Sequence, residues 1–394
     1  MKILFFISVH DNGVGGHFHS LNHISTKLAE TNDVKIVTIG PGYSNVIMTN
    51  PFFYKSINFK YLRFFYLKKE IDKIIDVFKP DIYHFFDLRC YNIIRILIST
   101  KKNKFIVTKC GGPNQNYDPH IDNLILFSVE NYEWFRKRRK YKSSNIYLIP
   151  NRVNAIMLEN EGHHIQKEDC FTFVRICRIG ISYKKSILDS LNLIEHLISI
   201  GIENIRLVII GSIENLTFFE QLKNHKLVQK GLIQFFTDNI YTKEASKMLS
   251  IADAVIGTGR SFMESASLSI PLLTINSKGN IPVLINQDNF HYAFKTNFSE
   301  RNIFPNYVER ENIYNIIELI NNKIYYKKMC DFSRYLFDYY FNVDLVTLLY
   351  KEVYEKSVYS KKKHLLVDAK SIIRSIINIT RQNIIYRRSV IKKL

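Results

Sequence analysis

The feature that most constrains the fold of this chain is an alternation. Short, β-rich apolar runs ("KILFFIS", "VKIVTI", "DIYHFF", "KFIVTK") are separated by longer stretches with apolar residues at helical spacing, such as "HFHSLNHISTKLAE" and "EIDKIIDVFK". Strand–helix alternation of this kind builds βαβ units and a parallel sheet. The pattern restarts after residue 160 with "CFTFVRIC", a helical segment over "SILDSLNLIEHLISI", then "IRLVIIG", "AVIG" and "PLLTI". Two α/β halves therefore meet near "YLIPNRVN" (147–154), where Pro150 and Asn151 suit a linker turn. The segment "YLFDYYFNVDLVTLLYKEVYEKSVY" reads as one long closing helix that returns to the first half.

Length agrees, since 394 residues exceed one ordinary domain and fit two. The opening "MKILFFISVHDNG" reads as a buried first strand rather than a signal peptide, because its apolar core is short and meets His10 and Asp11 at once. No apolar run is long enough to span a membrane as a helix. Five scattered cysteines, without a C-x-x-C pair or a His cluster at zinc spacing, point to a reduced chain with no structural metal. No D-x-D occurs, so the usual carboxylate pair for a nucleotide-bound Mg²⁺ is missing.

Doubly wound sheets bind ligands where strands pass at their carboxyl ends into helices, so the loops at those points carry the candidate residues. The first is "HDNGVGGHFHSLN", with Gly13, Gly15 and Gly16 before a helix whose first N–H groups could meet an anion. It is not G-x-G-x-x-G, and a plain βα turn accounts for it equally well. The second is "RICRIGISYKKS", where Arg178 leaves a strand while Lys184 and Lys185 precede a helix. A guanidinium fork and mobile ammonium groups at a helix N-terminus suit a diphosphate, although loop lysines are more often only solvated. The third is "IADAVIGTGRSFMESASLSIPLLTI", in which Glu264 falls in the first turn of a helix begun by Ser261. A carboxylate there can accept paired ribose hydroxyls, or simply complement the helix dipole.

The order of these motifs resembles the GT-B-fold glycosyltransferases, and within them the retaining enzymes of glycosyltransferase family 4 (group 1). The motifs are the Gly-Gly loop, "IPN" at the linker, Arg178 followed by the Lys184-Lys185 pair, "LVIIGS", an "AD" pair and G-x-G-R-S-x-x-E before a Pro. The resemblance spans about residues 1–355 and is densest over 174–275. It implies two Rossmann-like parallel-sheet domains facing across a cleft, to which the charge pattern of the tail adds a basic amphipathic C-terminal helix. The implied domains are 1–155, on the acceptor side and rejoined by the closing helix 335–360; 156–334, for the nucleotide-sugar; and a tail, 361–394. Arg178 and Lys185 would bind the donor diphosphate and stabilise it as a leaving group, with Lys184 beside them. Backbone N–H groups of Gly259, Arg260 and Ser261 would face phosphate or sugar, and Glu264 would hold the ribose. Gly15, Gly16, His17, His84, Gly111, Gly112 and Asn114 would line the acceptor side.

Some positions depart from that pattern. The family's E-x₇-E has Ile256 where its first Glu would stand, and Lys109 and Cys110 occupy the place of the usual His after the fourth strand. Cys177 and Arg152 replace two common glycines. The reaction implied is transfer of a sugar from a nucleotide-sugar to a hydroxyl of a glycan or polyprenyl-linked saccharide. It retains configuration and uses neither metal nor cofactor, in bacterial surface-polysaccharide synthesis.

Charge adds a location. The net charge is +19, and residues 361–394 hold ten Lys/Arg against one Asp. Ile372, Ile373, Ile376, Ile377, Ile384, Val390, Ile391 and Leu394 share one helical face. Lys370, Arg374, Arg381, Arg388 and Lys392 form a stripe beside it, and such a helix lies well on an anionic membrane. Two further basic-aromatic segments, 59–69 and 134–142, belong to the first half. The expectation is a cytoplasmic protein, peripheral at the inner face of the cell membrane. The alternative is a tail that packs on the first domain, with its remaining charges solvated. A nucleic-acid role lacks any recognisable binding motif. An inverting transferase, an epimerase or a non-catalytic relative would share the fold.

Overall fold

The computed structural model describes residues 1–10, 12–59, 63–98, 103–158, 165, 167–360 and 368–391, the side chains as far as 385. The chain forms two compact units, residues 1–152 with 343–394, and residues 153–342.

The first unit carries seven strands: β1 (Lys2–Ser8), β2 (Asp33–Ile39), β3 (Phe53–Ile57), β4 (Ile82–Phe85), β5 (Lys104–Lys109), β6 (Asn123–Leu126) and β7 (Asn145–Leu148). Their spatial order is β3-β2-β1-β4-β5-β6-β7, and every pairing is parallel. Burial on both faces explains why the inner strands β1, β4, β5 and β6 read as apolar runs rather than alternating ones, while the edge strand β3 alternates. Odd and even residues of β1 serve different cores: Leu4 and Phe6 pack with α2 (Phe64–Phe78) and α3 (Leu88–Leu97), while Ile3, Phe5 and Ile7 pack with α1 (Gly16–Leu28). Strand order reverses between β1 and β4, which makes the loops after them a switch point. Asp87 fastens that edge, accepting from the N–H of Ser8 (2.7 Å) and of Cys90 (2.7 Å) as the N-cap of α3.

The second unit holds β8 (Phe171–Ile176), β9 (Ile205–Ile210), β10 (Ile233–Phe236), β11 (Ala254–Ile256), β12 (Leu272–Thr274) and β13 (Val283–Leu284), in the order β10-β9-β8-β11-β12-β13. Only the β12–β13 pairing is antiparallel among them. The central pair, β8 and β11, feeds α4 (Lys184–Ser199) and α5 (Arg260–Ser267), so two loops and two helix N-termini lie at neighbouring strand ends. The chain enters and leaves this unit side by side, with Val153 donating to the carbonyl of Phe341 (2.8 Å).

The single closing helix expected over 335–360 is instead two. The helix Lys323–Leu336 passes into a π-helical turn, Phe337–Phe341, and ends at Asn342, whose backbone is extended. A second helix, Val346–Lys356, packs Val346, Tyr350, Val353 and Tyr354 into the first unit's core. The break falls where the chain changes units.

The tail is also corrected. Its helix, Ala369–Ile391, packs against α3 through Ser371, Ser375 and Ile379, and is not an appendage beyond the fold. Asn92 of α3 donates to both Ser hydroxyls (2.8 and 3.0 Å). Asp368 anchors its start, receiving Arg95 (2.9 Å), Lys140 (2.7 Å) and the N–H of His120. Burial alone would raise that carboxyl, but the bonds from Lys140, Arg95 and His120 hold it below its usual range. Of the apolar face expected for this helix, Ile372 and Ile376 are half-buried while Ile373, Ile377 and Ile384 are exposed. The side chains of Arg387, Arg388, Val390, Ile391, Lys392 and Leu394 lie outside the described residues, as do residues 60–62 of the first basic-aromatic segment. No helix among the described residues is long and apolar enough to cross a membrane.

Candidate functional site

In the second unit the loops after β8 and β11 bring together most of the residues expected to hold a donor. Beyond β8 the chain passes through Cys177, Arg178 and Gly180 into a short 3₁₀ turn, and α4 begins at Lys184. Arg178 is tied to Glu214 by a tight ion pair, donates to the Tyr183 hydroxyl (3.0 Å) and lies over that ring. Lys185 bonds Asp189 one turn on (2.8 Å) and the carbonyl of Gly279 (2.6 Å). Both expected clamp cations are thus charge-paired within the unit. Lys184 sits over the Phe218 ring at 5.9 Å.

The loop after β11 is compressed. A side chain at Gly257 would drive its Cβ to 2.8 Å from the Phe262 backbone. Gly259 caps α5 with φ 54° and ψ −119°, a conformation L-residues avoid. Its N–H is spent on the carbonyl of Phe298 (2.8 Å), so Gly259 does not offer the donor that was expected of it. Arg260 and Ser261 open α5, and helix geometry leaves their N–H groups without intrahelical partners. Ser261 closes the turn by donating to the Thr258 carbonyl (3.1 Å).

Glu264 stands in the second turn of α5 rather than the first, because the helix starts at Arg260. It is 8% exposed and bonds Arg260 at 2.6 Å. Burial raises its carboxyl, and the charge and hydrogen bond of Arg260 offset part of that rise.

Two residues here escaped the sequence reading. Arg175, on the α4 side of β8, is fully buried. Its Nη1 donates to the Ile256 carbonyl (3.1 Å), and its Nη2 donates to the hydroxyls of Ser186 (3.0 Å) and Thr258 (3.2 Å). The one available signal was a charge at position 175, a core-facing place in an otherwise apolar strand. Glu300, in the loop that also carries Phe298, has a shielded Oε1 with no hydrogen-bond partner. Its charge adds to the burial that raises Asp189 and Cys177. Only the folded loop reveals that proximity.

In the first unit the acceptor-side residues divide. Gly15 caps α1 and Gly16 begins it with ordinary backbone angles; among the loop's described residues Gly13 takes the left-handed conformation, φ 52°. The His17 ring lies tilted against that of Phe18, 4.1 Å between centroids. After β5, Gly111 (φ 121°) and Gly112 (φ 79°) form a loop pinned by Lys109, which donates to the carbonyls of Gly111 (3.0 Å) and Pro113 (3.2 Å). Asn114, on the same loop, has a buried Oδ1 without a partner. The loops after β1 and β5 share the carboxyl edge of the sheet.

His84 does not belong with them. It lies wholly inside the core, with Nδ1 on the Tyr354 hydroxyl (3.0 Å) and Nε2 on the Thr108 hydroxyl (2.7 Å). Burial holds its pKa down at about 3, so it stays neutral and serves the fold.

Among the described residues no group of three His, Cys, Asp or Glu stands close enough to hold a metal. A depression of about 780 Å³ lined by Met1, Lys2, Asp33, Lys79 and Asp81 lies at the amino ends of β1 and β2, the wrong edge for a doubly wound site.

The sequence matches no family model and no curated relative. Solved structures do match, over nearly the whole chain. A glycosyltransferase from Rickettsia africae ESF-5 superposes with a TM-score of 0.62 at 15% identity, covering 90% of this chain and 98% of that one. The fold is GT-B. Anabaena Alr3699/HepE in complex with UDP gives 0.63 at 10% identity over 90% of this chain and 100% of that one. A UDP-GlcNAc 2-epimerase from Neisseria meningitidis bound to UDP-GlcNAc gives 0.53 at 12%, covering 91% and 100%. Identities this low establish the GT-B architecture and leave the chemistry to the residues.

Proposed function

We propose that this chain is a retaining, metal-independent glycosyltransferase of the family 4 type, moving a hexose from a nucleotide-sugar to a hydroxyl of a glycan or lipid-linked acceptor. The observation that carries this reading is the placing of two helix N-termini, α4 and α5, at adjacent strand ends, with Arg178, Lys184 and Lys185 on one and Glu264 on the other. Helix N-termini and cations suit a diphosphate, and a buried carboxylate suits ribose hydroxyls. In the transfer the bond from the anomeric carbon to the diphosphate breaks, and the acceptor oxygen takes its place on the same face as its proton passes to the departing diphosphate. Charge then grows on the diphosphate, and fixed positive groups lower that barrier. Arg178 and Lys185 must trade Glu214 and Asp189 for phosphate oxygens to take part.

The test is calorimetric titration with UDP, GDP, CMP and ADP without metal, repeated on Arg178→Ala and Glu264→Ala. Binding of one nucleotide, lost in both variants, is the expected result; no binding by the intact protein would sink the reading. The Neisseria neighbour supports an epimerase as the second reading, and product analysis with and without an acceptor separates the two.

The same reading places the protein at the cytoplasmic face of a bacterial cell membrane, in surface-polysaccharide synthesis. Support comes from the outward side of the C-terminal helix, where Ile373, Ile377, Ile384 and Ile385 are exposed among Lys370, Arg374 and Arg381. No acidic residue follows Asp368. That combination suits an anionic lipid surface.

A further inference from the structure

The cations at or behind the loops after β8 and β11 differ in what neutralises them; Arg260, for one, has Glu264. Arg178 has Glu214 and Lys185 has Asp189. Arg175 is more buried than either, yet its guanidinium meets a carbonyl, two hydroxyls and the Cys177 thiol, whose pKa burial raises, and its Nε lacks a well-formed hydrogen bond. Glu300, whose charge reaches Cys177 two residues along, keeps a shielded Oε1 without a hydrogen bond. A buried charge without a counter-ion is costly, and such a group persists where something repays the cost.

The partners of Arg175 indicate what that is. Ile256 and Thr258 belong to the loop that leads into α5, and Ser186 lies in the first turn of α4. One side chain therefore joins the two helix N-termini from beneath, adding a full positive charge where the helix dipoles already favour an anion.

Resting on the donor reading above, we propose that Arg175 is a positioning residue for the donor diphosphate. It fixes the α4 and α5 N-termini in one arrangement, and its charge is completed only when a diphosphate seats on them. It does not touch the ligand. Arg178 and Lys185 hold carboxylates, whereas the bonds of Arg175 go to a carbonyl and hydroxyls, so its contribution is permanent and electrostatic.

The probe is inorganic pyrophosphate, which carries the diphosphate without a base or sugar, measured by calorimetry and thermal shift on the full chain. The nucleotide that binds best and its parent nucleoside are measured alongside. Arg175→Met keeps similar volume and removes the charge. Its unliganded Tm is expected to be unchanged or higher, because a costly buried charge is gone. Pyrophosphate and nucleotide affinity should fall at least tenfold, with the nucleoside's unchanged. Arg175→Lys, which keeps the charge but not the fork, should recover a large part of the loss.

A drop in Tm with equal loss of nucleoside and pyrophosphate would make Arg175 a structural strut and overturn the proposal. So would unchanged pyrophosphate affinity in Arg175→Met. If Arg175→Met fails to fold, Arg175→Lys decides alone: pyrophosphate and nucleoside weakened alike overturns the proposal, and nucleoside binding kept with pyrophosphate weakened upholds it. Absence of pyrophosphate and nucleotide binding by the intact protein would defeat the donor reading itself, a different outcome from failure of the variant.

Discussion

His84 in the first unit and Arg175 in the second are both polar, both fully buried and both on a central strand. They differ in how their needs are met. Each nitrogen of His84 has a hydroxyl, and burial keeps the ring neutral. Arg175 is left with a shielded nitrogen and no carboxylate. A buried polar group with every bond made belongs to the fold, whereas a buried charge left incomplete points toward a ligand. The contrast also corrects the expectation that His84 lines the acceptor side, and brings forward Arg175, which no sequence motif marks.

The largest effect expected from this comparison is on stability. His84→Ala strands the hydroxyls of Thr108 and Tyr354 and opens a cavity, so urea unfolding should show a loss of about 3 kcal/mol. Nucleotide affinity per folded molecule should not change. Ligand binding that failed alongside a normal urea midpoint would break the contrast. The pH dependence sharpens it. The folded pKa of His84, about 3, lies below its unfolded value, so the unfolded chain binds the proton first. Its contribution is complete above about pH 6.5 and is lost as pH falls toward 3, at no more than about 1.4 kcal/mol per pH unit. His84→Gln should flatten that slope.

Next in size comes Arg175→Met, with its tenfold or greater loss of diphosphate affinity at unchanged or higher stability. Glu264→Gln should follow, costing about 1 kcal/mol of nucleotide affinity through weaker acceptance of the ribose hydroxyls. Because burial raises the carboxyl of Glu264, the intact protein should lose nucleotide affinity as acid protonates it, while Glu264→Gln should not. The smallest expected effect lies away from both sites. Replacing Ile373 and Ile377 with Asp should reduce co-sedimentation with vesicles containing phosphatidylglycerol several-fold and leave nucleotide binding unchanged. Equal sedimentation of both proteins would remove the membrane reading.

Much of the architecture was legible because buried parallel strands leave a clear trace: "KILFFIS", "VKIVTI" and "IRLVIIG" each became a strand within a residue or two of their ends. The loops after β8 and β11 were legible through their glycines and lysines. Helix starts were less so. Glu264 moved from a first turn to a second because α5 begins at Arg260, a shift of one residue that alters which N–H groups are open. The closing segment read as one helix since its apolar spacing continues through Phe337–Phe341, and only packing into two different units splits it.

The sequence by itself determined two α/β units, the succession of strands and helices along each and the two loops that carry cations and a carboxylate. All of these follow from local periodicity and turn chemistry. Tertiary structure decided the rest: that His84 is core, that Arg178 and Lys185 already hold carboxylates, that the tail's Ser371, Ser375 and Ile379 face inward, and that Arg175 lies uncompensated between two helix ends. Each of these depends on which distant residue stands opposite, and in a low-dielectric interior that partner sets whether a polar group is satisfied, paired or left incomplete.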